Sequence, residues 1–298
     1  MLSGGRERGD EAVKGDNFVS PLDSQPGLSG QRPMTAWADI KVPGNWEVQG
    51  FGVPIYINHG YEFCPRYPIP PLLPEQNPVG IYRRTINIPQ DWDGRDIYLH
   101  IAGAKSGVYI YLNGREVGYS EDSKNPAEFR INDCIKDGEN DLVVKMYRCS
   151  PGSYLECQDF FRLSGFERDV FLWSQPATAV RDFRVVSTLD DSYRNGIFRL
   201  EADIRGGSTA APSNLNVIYE LLDKSGVAVA SAVAFPRTAP GEVATVQFEK
   251  ELLDVATWTS EAPNLYKLLI SVRDGSELLE IIPFNVGFRR IEIKESNH

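Results

Sequence analysis

Gly107-Val-Tyr-Ile-Tyr-Leu-Asn-Gly-Arg-Glu-Val-Gly-Tyr-Ser120 holds two strand-like runs, Gly107 to Leu112 and Glu116 to Ser120, on either side of Asn113-Gly114. Asn-Gly accepts the positive φ angles of a tight two-residue turn, so the stretch reads as a β-hairpin. Upstream, the residues from Gly80 to Ile88 alternate apolar and polar side chains, as a half-buried strand requires, and Pro89 ends the run. Asp96 to Ala102, Asn140 to Tyr147 and Asp169 to Trp173 add further strands. Short strands, frequent turns and no long helical periodicity predict an all-β sandwich or jelly roll rather than a parallel α/β sheet.

At Ser174-Gln-Pro-Ala the turn chemistry changes and a second series begins. Its strands are expected at Val180–Val186, Gly196–Ile204, Asn216–Leu222, Val227–Ala234, Ala244–Phe248, Lys267–Arg273 and Glu277–Phe284, with Lys224-Ser-Gly226 as a turn. About seven strands in such a length are the expectation for an immunoglobulin-like β-sandwich. Ala127–Ile135 and Glu249–Val255 could each hold one short helical turn. The domain plan is therefore a non-homologous or unstructured segment over 1–33, a jelly roll over 34–175, an immunoglobulin-like domain over 176–289 and a linker over 290–298. Nothing in it has the alternating strand and helix pattern of a (β/α)₈ barrel.

The 298 residues, 42% of them hydrophobic, suffice for two ordinary cores. A net charge of −10 disfavours contact with a nucleic-acid backbone, where Lys and Arg must neutralise phosphates. No apolar run is long enough to span a membrane, and residues 1–30 lack the apolar centre of a secretory signal. Those features give a cytoplasmic expectation, with a periplasmic one if a native N-terminus bearing a signal is missing. Cys64, Cys134, Cys149 and Cys157 form no C-x-x-C pair and read as free thiols; a bridge between Cys149 and Cys157 would need an oxidising compartment.

Two loop-like stretches are long and unusual: Val42-Pro-Gly-Asn-Trp-Glu-Val-Gln-Gly-Phe-Gly-Val-Pro-Ile-Tyr-Ile-Asn58 and Ser153-Tyr-Leu-Glu-Cys-Gln-Asp-Phe-Phe-Arg-Leu-Ser-Gly-Phe-Glu-Arg-Asp-Val170. With Asn77-Pro-Val-Gly-Ile-Tyr82, the Asn113-Gly114 turn followed by Val117-Gly-Tyr119, and Asp122-Ser-Lys-Asn-Pro-Ala-Glu-Phe129, they fall in one order. This set resembles the N-terminal half of the β-galactosidases of glycoside hydrolase family 2. Trp258-Thr-Ser-Glu-Ala-Pro-Asn-Leu-Tyr266 and Val286-Gly-Phe-Arg-Arg-Ile-Glu-Ile293 extend the resemblance through the immunoglobulin-like domain, which in relatives leads into a catalytic barrel.

The resemblance implies that Asn58 and Asp159 reach from the jelly roll toward a sugar, and that Asp159 also helps hold a sodium ion. Carboxylate and amide suit such tasks, since one accepts two hydroxyl hydrogen bonds and the other both donates and accepts. The bland alternatives are a turn-forming amide for Asn58 and a loop acid pairing with backbone, Arg162 or Arg168 for Asp159. Tyr154, Trp46 and Phe160 could wall a sugar site, but large aromatics in a sandwich more often fill the core. Pro151 stands where some relatives have an acid for a divalent ion, so the parent enzyme's magnesium is not expected on this chain. The early Leu-Asn-Gly-x-Trp-x-Phe strand of the family has no match before Thr35, which leaves an open edge on its partner strand.

A retaining glycosidase needs two carboxyl groups about 5–5.5 Å apart on rigid elements. In the family both are barrel glutamates, so catalytic residues are none here, and the chain alone is expected to be inactive. Glu156 with Asp159, or Glu121 with Asp122, are poor substitutes because they sit on loops. The expectation is the N-terminal, non-catalytic part of a β-galactosidase, binding a galactoside weakly or only together with the barrel, and homo-oligomeric in the intact enzyme. A stand-alone carbohydrate-binding module or an interaction protein is the alternative.

Overall fold

In the computed structural model, which describes residues 37–64, 67–207 and 212–293 and the backbone of Glu7–Arg8 and Asn17–Val19, the Asn113-Gly114 turn is left-handed at both residues (φ 54° and 78°). It joins the strands on which the rest of the first unit is built. From residue 37 on, the described chain divides into two compact units, 37–174 and 175–293.

Strands of the first unit are β1 (Ile55–Ile57), β2 (Val79–Asn87), β3 (Asp96–Ile101), β4 (Gly107–Leu112), β5 (Arg115–Ser120), β6 (Ala127–Arg130), β7 (Glu139–Tyr147), β8 (Phe160–Arg162) and β9 (Val170–Gln175). One antiparallel sheet runs β2-β7-β4-β5, and in another β3 lies between β9 and β6. Tyr82, Val144 and Ile110 sit side by side across β2, β7 and β4, all buried. With Ile97, Leu99 and Ile101 of β3 and Val170 and Leu172 of β9, they form one continuous core. Each such side chain contributes about 1.5–3 kcal/mol on burial.

The edge of β2 is not open: Asn17–Val19 pairs with it antiparallel, Phe18 opposite Tyr82. A ladder uses backbone groups that every residue but proline carries, so no sequence motif was needed to fill it. The remainder of 1–33 lies outside the described residues, as do the last five residues of the expected linker. The short helical turn expected within Ala127–Ile135 forms at its end, where the Cys134 and Ile135 N–H groups both donate to the Ile131 carbonyl at 2.9 and 3.2 Å, while Ala127–Arg130 is strand β6. There Ala127 and Phe129 are half-buried while Glu128 and Arg130 are exposed, a period of two.

Among the described residues the second unit has seven strands: β10 (Ala179–Leu189), β11 (Gly196–Arg205), β12 (Leu215–Leu222), β13 (Ala228–Ala234), β14 (Val243–Leu252), β15 (Tyr266–Asp274) and β16 (Glu277–Val286). Sheets β10-β11-β14 and β13-β12-β15-β16 enclose Phe198, Leu200, Ala202 and Ile204 against Val217, Tyr219, Leu221, Leu268, Ile270 and Val272. Of Glu249–Val255, expected to hold one short helical turn, Glu249–Leu252 continues β14 to pair with β11. The fold is all-β, a jelly roll and an immunoglobulin-like sandwich. No helix among the described residues is long and apolar enough to cross a membrane.

Candidate functional site

The two unusual stretches meet. Strand β1 from the first pairs antiparallel with β8 from the second, Ile55 opposite Arg162, Tyr56 opposite Phe161 and Ile57 opposite Phe160. Asn58 and Asp159 each lie one residue beyond the Ile57–Phe160 pair, at the same end of this ribbon, and both are exposed. Residues remote in sequence are thus brought to one tip by strand register.

The tip is polar with an aromatic flank. Tyr56 donates its hydroxyl to Asp159 Oδ1 at 2.6 Å, and Asn58 Oδ1 is 2.9 Å from His59 Nδ1. The Asp159 carboxylate, by accepting that hydrogen bond and opposing a second negative charge, raises the Tyr56 phenol above its ordinary pKa. Tyr56 and Phe161, both exposed, pack edge to face with ring centres 5.5 Å apart. Neither arginine weighed as a partner for Asp159 takes it: Arg168 Nη1 donates to the Lys124 carbonyl at 2.7 Å, and Arg162 turns inward.

Beneath the tip the ribbon is heavily braced. The Arg162 side chain is 1% exposed, donates through Nη1 to the Gln158 carbonyl and sets Nε 3.4 Å from Glu62 Oε2. Lys105, also buried, places Nζ 4.8 Å from the centre of the Phe160 ring, with the Arg162 guanidinium 5.4 Å from it. Burial, aided by the Lys124 charge, lowers the Lys105 pKa. Glu47 accepts the Ser164 N–H at 2.9 Å and lies 3.2 Å from Arg148 Nη1. Burial outweighs these contacts and raises the Glu47 carboxyl above its usual range. Arg148 in turn donates to the Arg162 carbonyl at 3.2 Å.

Backbone geometry completes the frame. Gly165–Phe166 pairs on one side with Gly44–Asn45 and on the other with Ala104–Lys105. Gly165 has φ 122°, and a Cβ there would lie 2.6 Å from the Gly44 carbonyl oxygen, so glycine is required. Between Ser150 and Glu156 the chain makes one 3₁₀ turn, Pro151–Leu155, with Pro151 at its start and Ser153 Oγ accepting the Ser150 N–H at 3.0 Å.

Of the aromatics considered for a sugar wall, Trp46 belongs to the core, donating Nε1 to the Tyr82 hydroxyl at 2.5 Å. Tyr154 is buried against Tyr61 and Phe63, and Phe160 faces the buried cations. Glu156 commits both oxygens to Ser123, through N–H at 2.8 Å and Oγ at 2.5 Å. Glu121 binds the Tyr119 hydroxyl at 2.9 Å, and Asp122 caps its own turn through Asn125. Sequence reasoning missed Tyr56 and the Lys105, Glu62 and Arg162 group; the Ile-Tyr-Ile alternation at β1 carried the only trace of the former.

Two family models match the chain, "Glycosyl hydrolases family 2, sugar binding domain" over residues 32–176 and "Glycosyl hydrolases family 2" over residues 178–289. A β-galactosidase of Priestia megaterium is 37% identical over 97% of this chain and 27% of its own length. One from Lactobacillus delbrueckii subsp. bulgaricus is 35% identical over 90% of this chain and 27% of that protein. The chain spans about a quarter of the length of the curated relatives it matches. Among solved structures, Bacteroides uniformis β-glucuronidase 2 shares the fold at TM-score 0.73 and 19% identity, over 95% of this chain and 32% of that one. A glycosyl hydrolase family 2 member from Bacteroides cellulosilyticus does so at TM-score 0.66 and 16% identity, over 93% and 36%.

Proposed function

This chain belongs to glycoside hydrolase family 2, and from that premise we propose that it is the N-terminal, non-catalytic part of a retaining β-galactosidase. The observation that carries the reading is the meeting of Asn58 and Asp159 at one exposed end of the β1–β8 ribbon. Asp159 accepts sugar hydroxyls, Asn58 donates to and accepts from them, and the exposed Tyr56 and Phe161 edges offer an apolar flank to the C–H face of a galactosyl ring. Neither nucleophile nor acid comes from this segment; both belong to a barrel that the ribbon faces in the longer enzyme.

A sodium ion fits this tip in part. Asp159 supplies a hard oxygen while its other oxygen holds Tyr56, and the remaining ligands come from the barrel. Bound there, the ion would supply positive charge toward a sugar hydroxyl. Asp159 is held ready for it by a neighbour rather than by burial.

The test uses a chromogenic β-galactoside. The purified 298-residue chain is expected to give no turnover, and calorimetry little galactoside binding, because one wall of a pocket offers few contacts. Substituted for the corresponding segment of the Priestia megaterium enzyme, it is expected to support hydrolysis, and Asp159→Ala to lower kcat/KM about 10- to 100-fold. Turnover by the isolated chain that Asp159→Ala abolishes would overturn the reading. Tight galactoside binding by the chain alone would favour the carbohydrate-binding module instead.

A further inference from the structure

We propose that β13 pairs edge to edge with β13 of a second copy of this chain, antiparallel, about a two-fold axis through Ser231. Strand β13 is the end strand of its sheet: β12 hydrogen-bonds to one side of it, and no strand among the described residues lies on the other. From Ala230 to Ala234 every second residue therefore turns an N–H and a C=O outward, a ready template for another strand.

Proteins guard such edges with charge, proline or bulges, and three other outer strands here carry charge or proline. Strand β5 carries Arg115 and Glu116, β14 carries Lys250, and β16 contains Pro283, which has no donor to offer. From Val227 to Phe235 there is neither charge nor proline. Val227, Val233 and Phe235 are 60%, 47% and 72% exposed, an apolar run left in water.

The sequence of β13 specifies the occupant. Ala228-Val-Ala-Ser-Ala-Val-Ala234 reads identically in both directions about Ser231. Antiparallel pairing with a copy then sets Ser231 against Ser231, Ala230 against Ala232, Val229 against Val233 and Ala228 against Ala234. Each apolar residue meets an apolar one, and each small residue a small one, as an isologous contact requires. A foreign strand would impose no such symmetry. The register shift near Val229, where Leu221 faces Ala230 and Leu222 faces Ala228, leaves Ser231 and its neighbours in regular pairing. Because the two-fold contact uses the β13 edge of both copies, the association closes at two.

Sedimentation equilibrium of the full 298-residue chain, up to about 0.5 mM, tests the proposal. The expected result is a dimer. Ser231→Lys, which sets two ammonium groups opposite one another at the axis, is expected to raise the dissociation constant at least about tenfold, with an unchanged circular dichroism spectrum. Ser231→Cys under mild oxidation is expected to yield an interchain disulfide joining position 231 to position 231, identified by peptide mass. A chain that stays monomeric throughout, a dimer that Ser231→Lys leaves intact, or an interchain link in another register would each overturn it.

Discussion

The Tyr56 hydroxyl donates to Asp159 Oδ1 at 2.6 Å, joining two exposed side chains 103 positions apart in the chain. Each belongs to a different one of the two loop-like stretches, so the hydrogen bond exists only because β1 and β8 pair in one register. The bond fixes a carboxylate that solvent would otherwise leave free to rotate.

From it follows a titration result. Because Asp159 raises the Tyr56 pKa, Asp159→Asn is expected to bring that phenol down toward its ordinary value. Carbon-13 tyrosine NMR across alkaline pH reads this directly, and an unmoved Tyr56 resonance would show that the hydrogen bond does not persist in solution. Tyr56→Phe should leave the thermal unfolding midpoint nearly unchanged, since the pair is exposed.

The Glu47–Arg148 pair should respond quite differently, being buried. Arg148→Met is expected to destabilise the first unit by about 3–5 kcal/mol at neutral pH, because it strands a buried carboxylate. The folded-state pKa of Glu47 is raised already and rises further without Arg148, so the folded protein then binds the proton more tightly than the unfolded chain. Stability is therefore lost as pH climbs from the ordinary carboxylate value through the raised one, and regained on acidification. Urea unfolding followed by tryptophan fluorescence at pH 7 and pH 5 should show the smaller deficit at pH 5.

Gly165→Ala is expected to cost at least about 2 kcal/mol, through a left-handed φ and a backbone collision with the Gly44 carbonyl. Gly226→Ala, also at positive φ but in open space, should cost about 1 kcal/mol. Thermal unfolding of the pair separates the collision from the φ strain; equal shifts would mean that the strand Gly44–Asn45 yields to the methyl group.

Burial pushes the Cys149 thiol up to about 12 and raises Cys157 as well. Both should therefore resist iodoacetamide at pH 8 in the folded protein and react on unfolding. Peptide mass mapping after timed quenching checks this, and rapid native alkylation at Cys149 would contradict the packing described around it.

Strand positions were legible because burial repeats every second residue: Leu142, Val144 and Met146 face the core while Val143 and Lys145 do not. The Asn113-Gly114 turn was legible for a local reason as well, its φ preference. Pairing between distant strands was not, since no local signal states that Ile57 faces Phe160 or that Asn17–Val19 covers the edge of β2. Arg162, weighed from sequence only as a partner for Asp159, is among the most buried side chains, and what holds it there, Glu62 and the Gln158 carbonyl, comes from the ribbon's own neighbourhood. Of the two stretches read as able to hold a helical turn, 127–135 makes it only after Arg130, because cross-strand partners fix 127–130 as strand, and 249–252 is strand for the same reason.

Gly165–Phe166, clasped between Gly44–Asn45 and Ala104–Lys105, anchors the ribbon like the root of a cantilever whose free end carries Asn58 and Asp159. Stiffness resides in the root and chemistry in the free end. The outermost side chains can therefore be exchanged, changing what the tip can touch, without endangering the chain's ability to fold.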